Sequence, residues 1–479
     1  MRYGTVAYPD IRIGSRVLVL LLLVCAVVSL SVGVGAGVAP AGPVESDVPI
    51  QPLPVAVLPP ELDPFYKAPA NVIAETPPGG IIKARQITPA LLSVVPFNID
   101  AWQVLFRTND SHGNAIATVT TVIKPRGGPP AGGFKLLSYQ PAEDATAQYC
   151  AMSYVVQQGS IPVDQVNSGD TSLGIALGVS QGWAVVITDY EGPDSAYGAA
   201  ILAGQATLDG IRAAENFAPM QLTAGPRTPV AVMGYSGGSI PTGWVAENQP
   251  RYAPELNIVG VTMGGVAAAD LKAVLHQNNT NLFAGLVGST LYGFATEYPE
   301  VRNLLDTRYD WFGRFMTTFK SFLCRQQNTA LFPGWNYLGS YTGPGDPLDI
   351  PAVSAAIEAQ NLGKHTPSIP MYIYQAQNDE IIPNAGADRV VNQYCRDPNA
   401  SITYTRELFA EHLVGEAAWL PKGYQFVIDR MNGVPAQQGC VIESPFSTFT
   451  DGDFVDLLSK QWPAIAGLVT GLPVGATTG

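Results

Sequence analysis

A chain of 479 residues allows two or three domains, or one large α/β domain with an insertion; with 47% hydrophobic and only 14% charged residues it can bury a large core, which argues against disorder over most of its length. The formal net charge of -13, with no cluster of Lys and Arg, argues against a nucleic-acid partner, because phosphate contacts need concentrated positive charge.

Residues 1–41 read as a secretory signal. Arg2, Arg12 and Arg16 precede the apolar run 17–30, and small residues continue through Ala41, with Ala36, Ala39 and Ala41 as candidate cleavage points. The alternative is an uncleaved membrane or cell-envelope anchor, since residues 17–38 are long enough to span a bilayer. Residues 42–75 form a Pro-rich N-terminal arm, within which Phe65 and Tyr66 are expected to pack on the domain surface.

Residues 101–107 alternate in polarity and, with 115–123 across a turn at 109–114, predict an antiparallel pair of strands. The buried run 134–139 begins a parallel section in which the periods alternate. Strands are expected at 183–188, 230–233, 258–263, 371–376 and 401–404, and helices at 172–179, 206–214, after residue 241, at 385–394 and at 415–431. Strands alternating with helices predict a mostly parallel sheet covered on both faces. Residues 266–350 lack strand signals and carry aromatic, amphipathic helical stretches at 270–276, 282–295, 301–306 and 311–324. They read as a helical cap inserted into a core made of residues 76–265 and 351–479.

Gly234-Tyr235-Ser236-Gly237-Gly238 follows the strand 230–233 and precedes a helix, which is the order of a nucleophile elbow. Such a turn exposes Ser236 at a helix N-terminus, where the N–H of Gly237 can face a developing oxyanion. Gly178-Val179-Ser180-Gln181-Gly182 matches the same pattern, but a helix comes before it and a strand after it. Ser180 is therefore read as a helix end.

In folds built around this elbow the order is Ser, acid, His. Of the four histidines, His112 precedes Ser236, His276 lies in the cap, and His365 leaves no intervening strand to bring an acid. His412 remains, in the loop after strand 401–404. Asp379 and Glu380 both end the strand 371–376, and Asp379 is preferred as the group that holds the imidazole tautomer. The second oxyanion donor belongs to the loop 139–147, where no Gly-rich run identifies it. Discounting Cys25, the four cysteines Cys150, Cys324, Cys395 and Cys440 suit two disulfides, with three connectivities open. Neither cysteines nor histidines have zinc spacing, Gly363-Lys364 lacks the rest of a phosphate loop, and Asp451-Gly452-Asp453 does not continue as a calcium loop, so no metal or cofactor is expected.

Several stretches taken together resemble the secretory lipases of the Candida antarctica lipase A type: Leu62-Asp63-Pro64-Phe65-Tyr66, residues 139–147, Thr188-Asp189-Tyr190-Glu191-Gly192-Pro193, the elbow, Asn378-Asp379-Glu380 and His412. The resemblance runs from about residue 62 to about residue 431. It implies an α/β-hydrolase with a mostly parallel central sheet and an inserted helical cap (lid), secreted, without a cofactor, and acting on triacylglycerols and other carboxylic esters. It implies Ser236, Asp379 and His412 as the triad, and Asp144 beside the N–H of Gly237 in the oxyanion hole. It also implies pairing Cys150 with Cys324 and Cys395 with Cys440. Alternatives are an acyltransferase using the same acyl-enzyme, or a lipid-binding protein whose triad is vestigial; the aromatic cap is expected to engage lipid surfaces.

Overall fold

The computed structural model describes residues 49–54, 56–450, 459, 463, 466–468 and 470. The expected secretory signal and Asp451-Gly452-Asp453 lie outside these residues. Among them, no helix is long and apolar enough to cross a membrane.

An eleven-stranded sheet organises the chain: β1 (Ile50–Gln51), β2 (Ile81–Ile87), β3 (Asp100–Asn109), β4 (Ala115–Lys124), β5 (Leu136–Gln140), β6 (Ala184–Thr188), β7 (Val230–Tyr235), β8 (Ile258–Gly264), β9 (Met371–Ala376), β10 (Ser401–Glu407) and β11 (Gly439–Glu443). Their spatial order is β1-β2-β3-β4-β6-β5-β7-β8-β9-β10-β11. β2, β3, β4 and β6 pair antiparallel, with Asp100 opposite Lys124. From β6 to β11 every pairing is parallel. β5, β6, β7 and β9 are buried throughout, as expected for strands covered on both faces.

The period of two sorts side chains between the faces. Val230 and Val232 join Ile211, Ile240, Val245 and Val390 in one apolar cluster, under α2 (Ala200–Asn216), α3 (Ser239–Tyr252) and the helix Asn384–Tyr394. Ala231 and Met233 join Ile175, Val179, Trp419 and Val427 in the other, under α1 (Gln165–Ser180) and the long helix His412–Met431. This last helix starts three residues earlier than its apolar spacing predicts. Glu411 caps it by accepting from the N–H groups of Leu413 (2.9 Å) and Val414 (2.7 Å), a role more often filled by Ser, Thr, Asp or Asn. His412 is thereby the first residue of a helix and not part of a free loop. The short edge strands β1 and β11 and strand β2 went unread in the sequence, β1 because two residues carry no period.

Between β8 and β9 the chain leaves the sheet for six α-helices, of which the first five are α4 (Leu271–Asn278), α5 (Ala284–Glu297), α6 (Pro299–Arg308), α7 (Trp311–Lys320) and α8 (Arg325–Leu331). α4 to α7 pack around an apolar cluster of their own that includes Leu275, Leu291, Phe294, Leu305 and Met316. Helix α9 (Pro351–Gln360) adds Val353, Ala356 and Ile357 to the same cluster. Two disulfides are formed, Cys150–Cys324 and Cys395–Cys440. The first joins the segment after β5 to the end of α7 and start of α8.

The N-terminal arm is fastened by buried charge. Asp63 Oδ2 meets Arg85 Nη1 at 2.6 Å, the guanidinium lies 4.2 Å from the centroid of the Phe65 ring, and Arg85 Nε donates to Gln103 Oε1 at 2.6 Å. Removing one partner of a buried pair strands the other charge. Asp63→Ala is expected to lower stability by roughly 3–5 kcal/mol, read as a fall in the urea midpoint, whereas Asp63→Ala combined with Arg85→Met should recover much of the loss.

Candidate active site

The order of the sheet reverses at β5: the chain goes from β5 to β6 on one side, then crosses to β7 on the other. A crevice opens at the carboxyl ends of strands flanking such a switch point. The loop after β5 and the turn after β7 are therefore neighbours, and the loops after β9 and β10 rise from the same edge.

Ser236 follows the last residue of β7 with φ +53°, in the left-handed region that a side chain with a Cβ seldom adopts. The turn is held by close approach. A Cβ on Gly238 would lie 1.9 Å from the carbonyl oxygen of Gln140 in β5, and one on Gly234 would lie 2.4 Å from the carbonyl oxygen of Gly238. Ser239 Oγ donates to the carbonyl of Gly265 (2.9 Å) and accepts from the N–H of Ala267 (3.0 Å), joining the elbow to the end of β8.

His412 Nε2 lies 2.8 Å from Ser236 Oγ, and its Nδ1 lies 2.8 Å from Asp379 Oδ2. Asp379 is in turn fixed from four directions. Its Oδ1 accepts from the N–H groups of Ile381 (3.0 Å) and Ile382 (2.7 Å), and its Oδ2 accepts from Gln375 Nε2 (2.9 Å) as well as the imidazole. Glu380, the other acid at this strand end, accepts from the backbone N–H of His412 at 2.9 Å, so it holds the main chain while Asp379 faces the ring. Tyr235 Oη donates to the carbonyl of His412 at 2.8 Å. Burial alone depresses the basicity of His412, but the adjacent Asp379 charge and hydrogen bond, with Glu380 beyond, outweigh it and raise the pKa above 6.5.

Asp144 also has a left-handed backbone, φ +49°, and is 3% exposed. A Cβ on Gly237 would lie 1.7 Å from its Oδ1, so the carboxyl sits directly against the Cα of Gly237. Among the described residues Oδ1 has no hydrogen-bond partner. Burial pushes its pKa up, and the opposing pull of Arg325 and His412 does not cancel the rise. The loop that carries it hangs from Tyr190, whose hydroxyl donates to the carbonyl of Pro141 (2.7 Å) and accepts from the N–H of Glu143 (3.2 Å).

A narrow crevice runs from Ser236, Gly237 and Asp144 between the sheet and the cap helices, lined by apolar side chains that include Ile240, Leu271, Val287 and Ile382. The remaining candidates lie elsewhere. Ser180 ends α1 with its Oγ 2.9 Å from the carbonyl of Leu177, His112 Nε2 lies 2.7 Å from the carbonyl of Glu297, and His276 is near Asp346 in the cap segment. Among the described residues no group of three or more His, Cys, Asp or Glu could hold a metal ion. Sequence reasoning left Tyr190, Gln375, Glu411 and Arg325 without roles at the site. Only the inclusion of Tyr190 in a family-like stretch gave any signal.

A mostly parallel sheet bearing a nucleophile elbow, with an inserted helical cap above its carboxyl edge, defines an α/β-hydrolase. The particular family follows from comparison: residues 160–439 match the model of the family "Secretory lipase", and this chain belongs to that family. Lipase A of Arthroderma benhamiae is 32% identical over 455 residues, covering 91% of this chain and 94% of that protein. The X-ray structure of Candida antarctica lipase A superposes with a TM-score of 0.78 at 28% identity, covering 89% of this chain and all of that one. A Mycobacterium tuberculosis protein named "Probable inactive lipase" is also 32% identical, over 378 residues, or 78% of this chain and 83% of that protein. The chain is a carboxylic ester hydrolase, and the family is a secretory one.

The contrast between the two adjacent acids is measurable. Asp379→Asn should cut kcat by roughly 10³ to 10⁴-fold, while Glu380→Gln stays within about tenfold of the parent, since its amide oxygen can still accept from the His412 N–H and no ring contact is lost. The imidazole must be neutral to accept a proton, so kcat/KM falls as pH drops through the raised His412 pKa. Because Glu380 contributes to that rise, Glu380→Gln should move the acid limb to lower pH; a limb that stays put would show that Glu380 does not act on the ring.

Proposed function

We propose that this protein hydrolyses triacylglycerols and other carboxylic esters through an acyl-enzyme on Ser236. His412 Nε2 takes the proton of Ser236 Oγ as the oxygen attacks the ester carbonyl, and Asp379 stabilises the imidazolium that forms. The carbonyl oxygen, now an anion, is held by the N–H of Gly237 and by the Asp144 carboxyl. An acid can donate there only while it carries its proton, which a buried, desolvated site favours. The imidazolium then protonates the leaving alcohol, and a water molecule, deprotonated by His412, releases the fatty acid and frees Ser236.

The observation that carries this reading is the continuous line Asp379–His412–Ser236, with 2.8 Å at each step, closing on the apolar pocket. An acyl chain suits such a pocket because its affinity comes from apolar area removed from water. A vestigial triad, the reading that the inactive relative's name invites, would not need three hydrogen bonds from Gln375, Ile381 and Ile382 to fix the acid.

Residues 266–350, together with α9, act in this proposal as a cap over the acyl pocket. On the cap's exterior, Trp311 (73% exposed), Phe315 and Phe322 stand in solvent, and the rings of Phe315 and Phe319 stack at 6.1 Å. An exposed aromatic stripe of this size fits contact with a lipid surface. Export of the protein, with residues 1–41 removed as a signal, accords with two disulfides, which persist in oxidising compartments.

Ser236→Ala should abolish release of p-nitrophenol from p-nitrophenyl esters while the protein still melts cooperatively; retained turnover would remove Ser236 from the mechanism. Trp311→Ser with Phe315→Ser should reduce hydrolysis of emulsified triacylglycerol at least severalfold and leave a soluble short-chain ester unaffected, and equal losses on both substrates would count against lipid contact by the cap. An alcohol acceptor that diverts most of the acyl group from water at low concentration would favour the acyltransferase alternative.

A further inference from the structure

Arg325 opens α8 immediately after Cys324, whose disulfide to Cys150 ties that point of the cap to the segment six residues beyond Asp144. Its Nη1 lies 4.0 Å from Asp144 Oδ2, with the guanidinium side chain 19% exposed. That distance is too long for a hydrogen bond but close for a charge acting through a low-dielectric interior. The two carboxyl oxygens of Asp144 are thus unequal: Oδ2 faces a cation, and Oδ1, without a partner among the described residues, faces Gly237. A cation beside one oxygen favours that oxygen as the carbonyl end, which leaves the proton on the other.

The charges around Asp144 come from every side. Arg325 from the cap and His412 from the catalytic helix favour its ionised form, while Asp164 and Asp170 on the α1 side oppose it. Glu143, Glu191 and Glu416 each interact with Asp144, as do the hydroxyls of Tyr190 and Tyr197. Arg325 is the shared counter-charge of Asp144, Asp164, Asp170 and Glu416.

We propose that Arg325 is a positioning residue for the oxyanion hole: anchored by the Cys150–Cys324 disulfide, it orients the Asp144 carboxyl so that Oδ1 carries the proton, and it limits how far into alkaline pH that carboxyl can donate. The inference rests on the reading of Asp144 as an oxyanion donor. It makes the cap a participant in the chemistry, since α8 delivers a charge to the site while α4 and α5 line the pocket.

The test measures kcat/KM for a soluble p-nitrophenyl ester across pH in Arg325→Gln, Arg325→Lys, Asp144→Asn and the Arg325→Gln/Asp144→Asn pair. Rates are normalised to active sites by stoichiometric labelling of Ser236, so that a misfolded fraction drops out. Without the guanidinium Asp144 holds its proton to higher pH, and the ratio of Arg325→Gln to wild type should climb as pH rises, by about tenfold for each unit that Asp144 titrates higher. In the Asp144→Asn background the ratio should be flat, and Arg325→Lys should follow wild type. A flat ratio in the wild-type background, once Asp144→Asn has removed the alkaline fall, overturns the role of Arg325 and leaves the donor reading intact. An alkaline fall that persists in Asp144→Asn overturns the donor reading and the inference with it.

Discussion

The close passage of the elbow against β5 is the constraint on which the rest depends. Gly238 runs so near the carbonyl of Gln140 that no side chain fits between them, and this contact fixes the carboxyl ends of β5 and β7 side by side. Because the sheet order reverses at β5, that one approach brings two loops from opposite directions to a single crevice. Ser236 is held in a left-handed conformation there by the strand behind it and α3 ahead of it. Backbone strain of this kind persists only where surrounding packing over-determines the turn, as the burial of all six residues of β7 does.

The second organising feature is buried negative charge. Glu143, Asp144, Asp170, Asp189 and Glu191 lie in or beside the elements that carry the loop after β5, and burial is the largest influence on each, in every case upward. Asp189, pushed up to about 7, accepts from the N–H and hydroxyl of Ser153, linking the strand end of β6 to the segment that follows Cys150. A region that is dry and short of cations suits a neutral acid as hydrogen-bond donor. The same dryness makes the nearby charges of Arg325 and His412 consequential, because little water screens them.

Stability and chemistry share parts. The helix whose first residue is His412 buries Trp419 and Val427 against the sheet, so this imidazole sits on an element anchored by core packing. Asp379 follows β9, whose register with β10 runs unbroken from Met371 opposite Ile402 to Ala376 opposite Glu407. Asp379 and His412 therefore follow adjacent strands that end at the same height, and their side chains suffice to join them.

What could be read from the sequence was whatever has a local period or a local pattern. Alternating strands and helices gave a parallel sheet, the glycines around Ser236 with a strand before and a helix after gave the elbow, and the required order of groups left His412 as the only histidine in position. The roles of Tyr190 and Arg325 were not legible, because each depends on a partner distant in the chain; β1 is too short to carry a period, and the last long helix starts on Glu411, a residue that seldom caps. The choice between Asp379 and Glu380 shows the limit: both end the same strand, and sequence could state only a preference. Tertiary structure separated them, turning one carboxylate toward the imidazole ring and the other toward the backbone N–H of the same residue. Local order fixes which residues reach the sheet's edge; only packing in three dimensions decides which atom each one faces, since hydrogen bonds are made over a few ångströms between segments separated by many tens of residues.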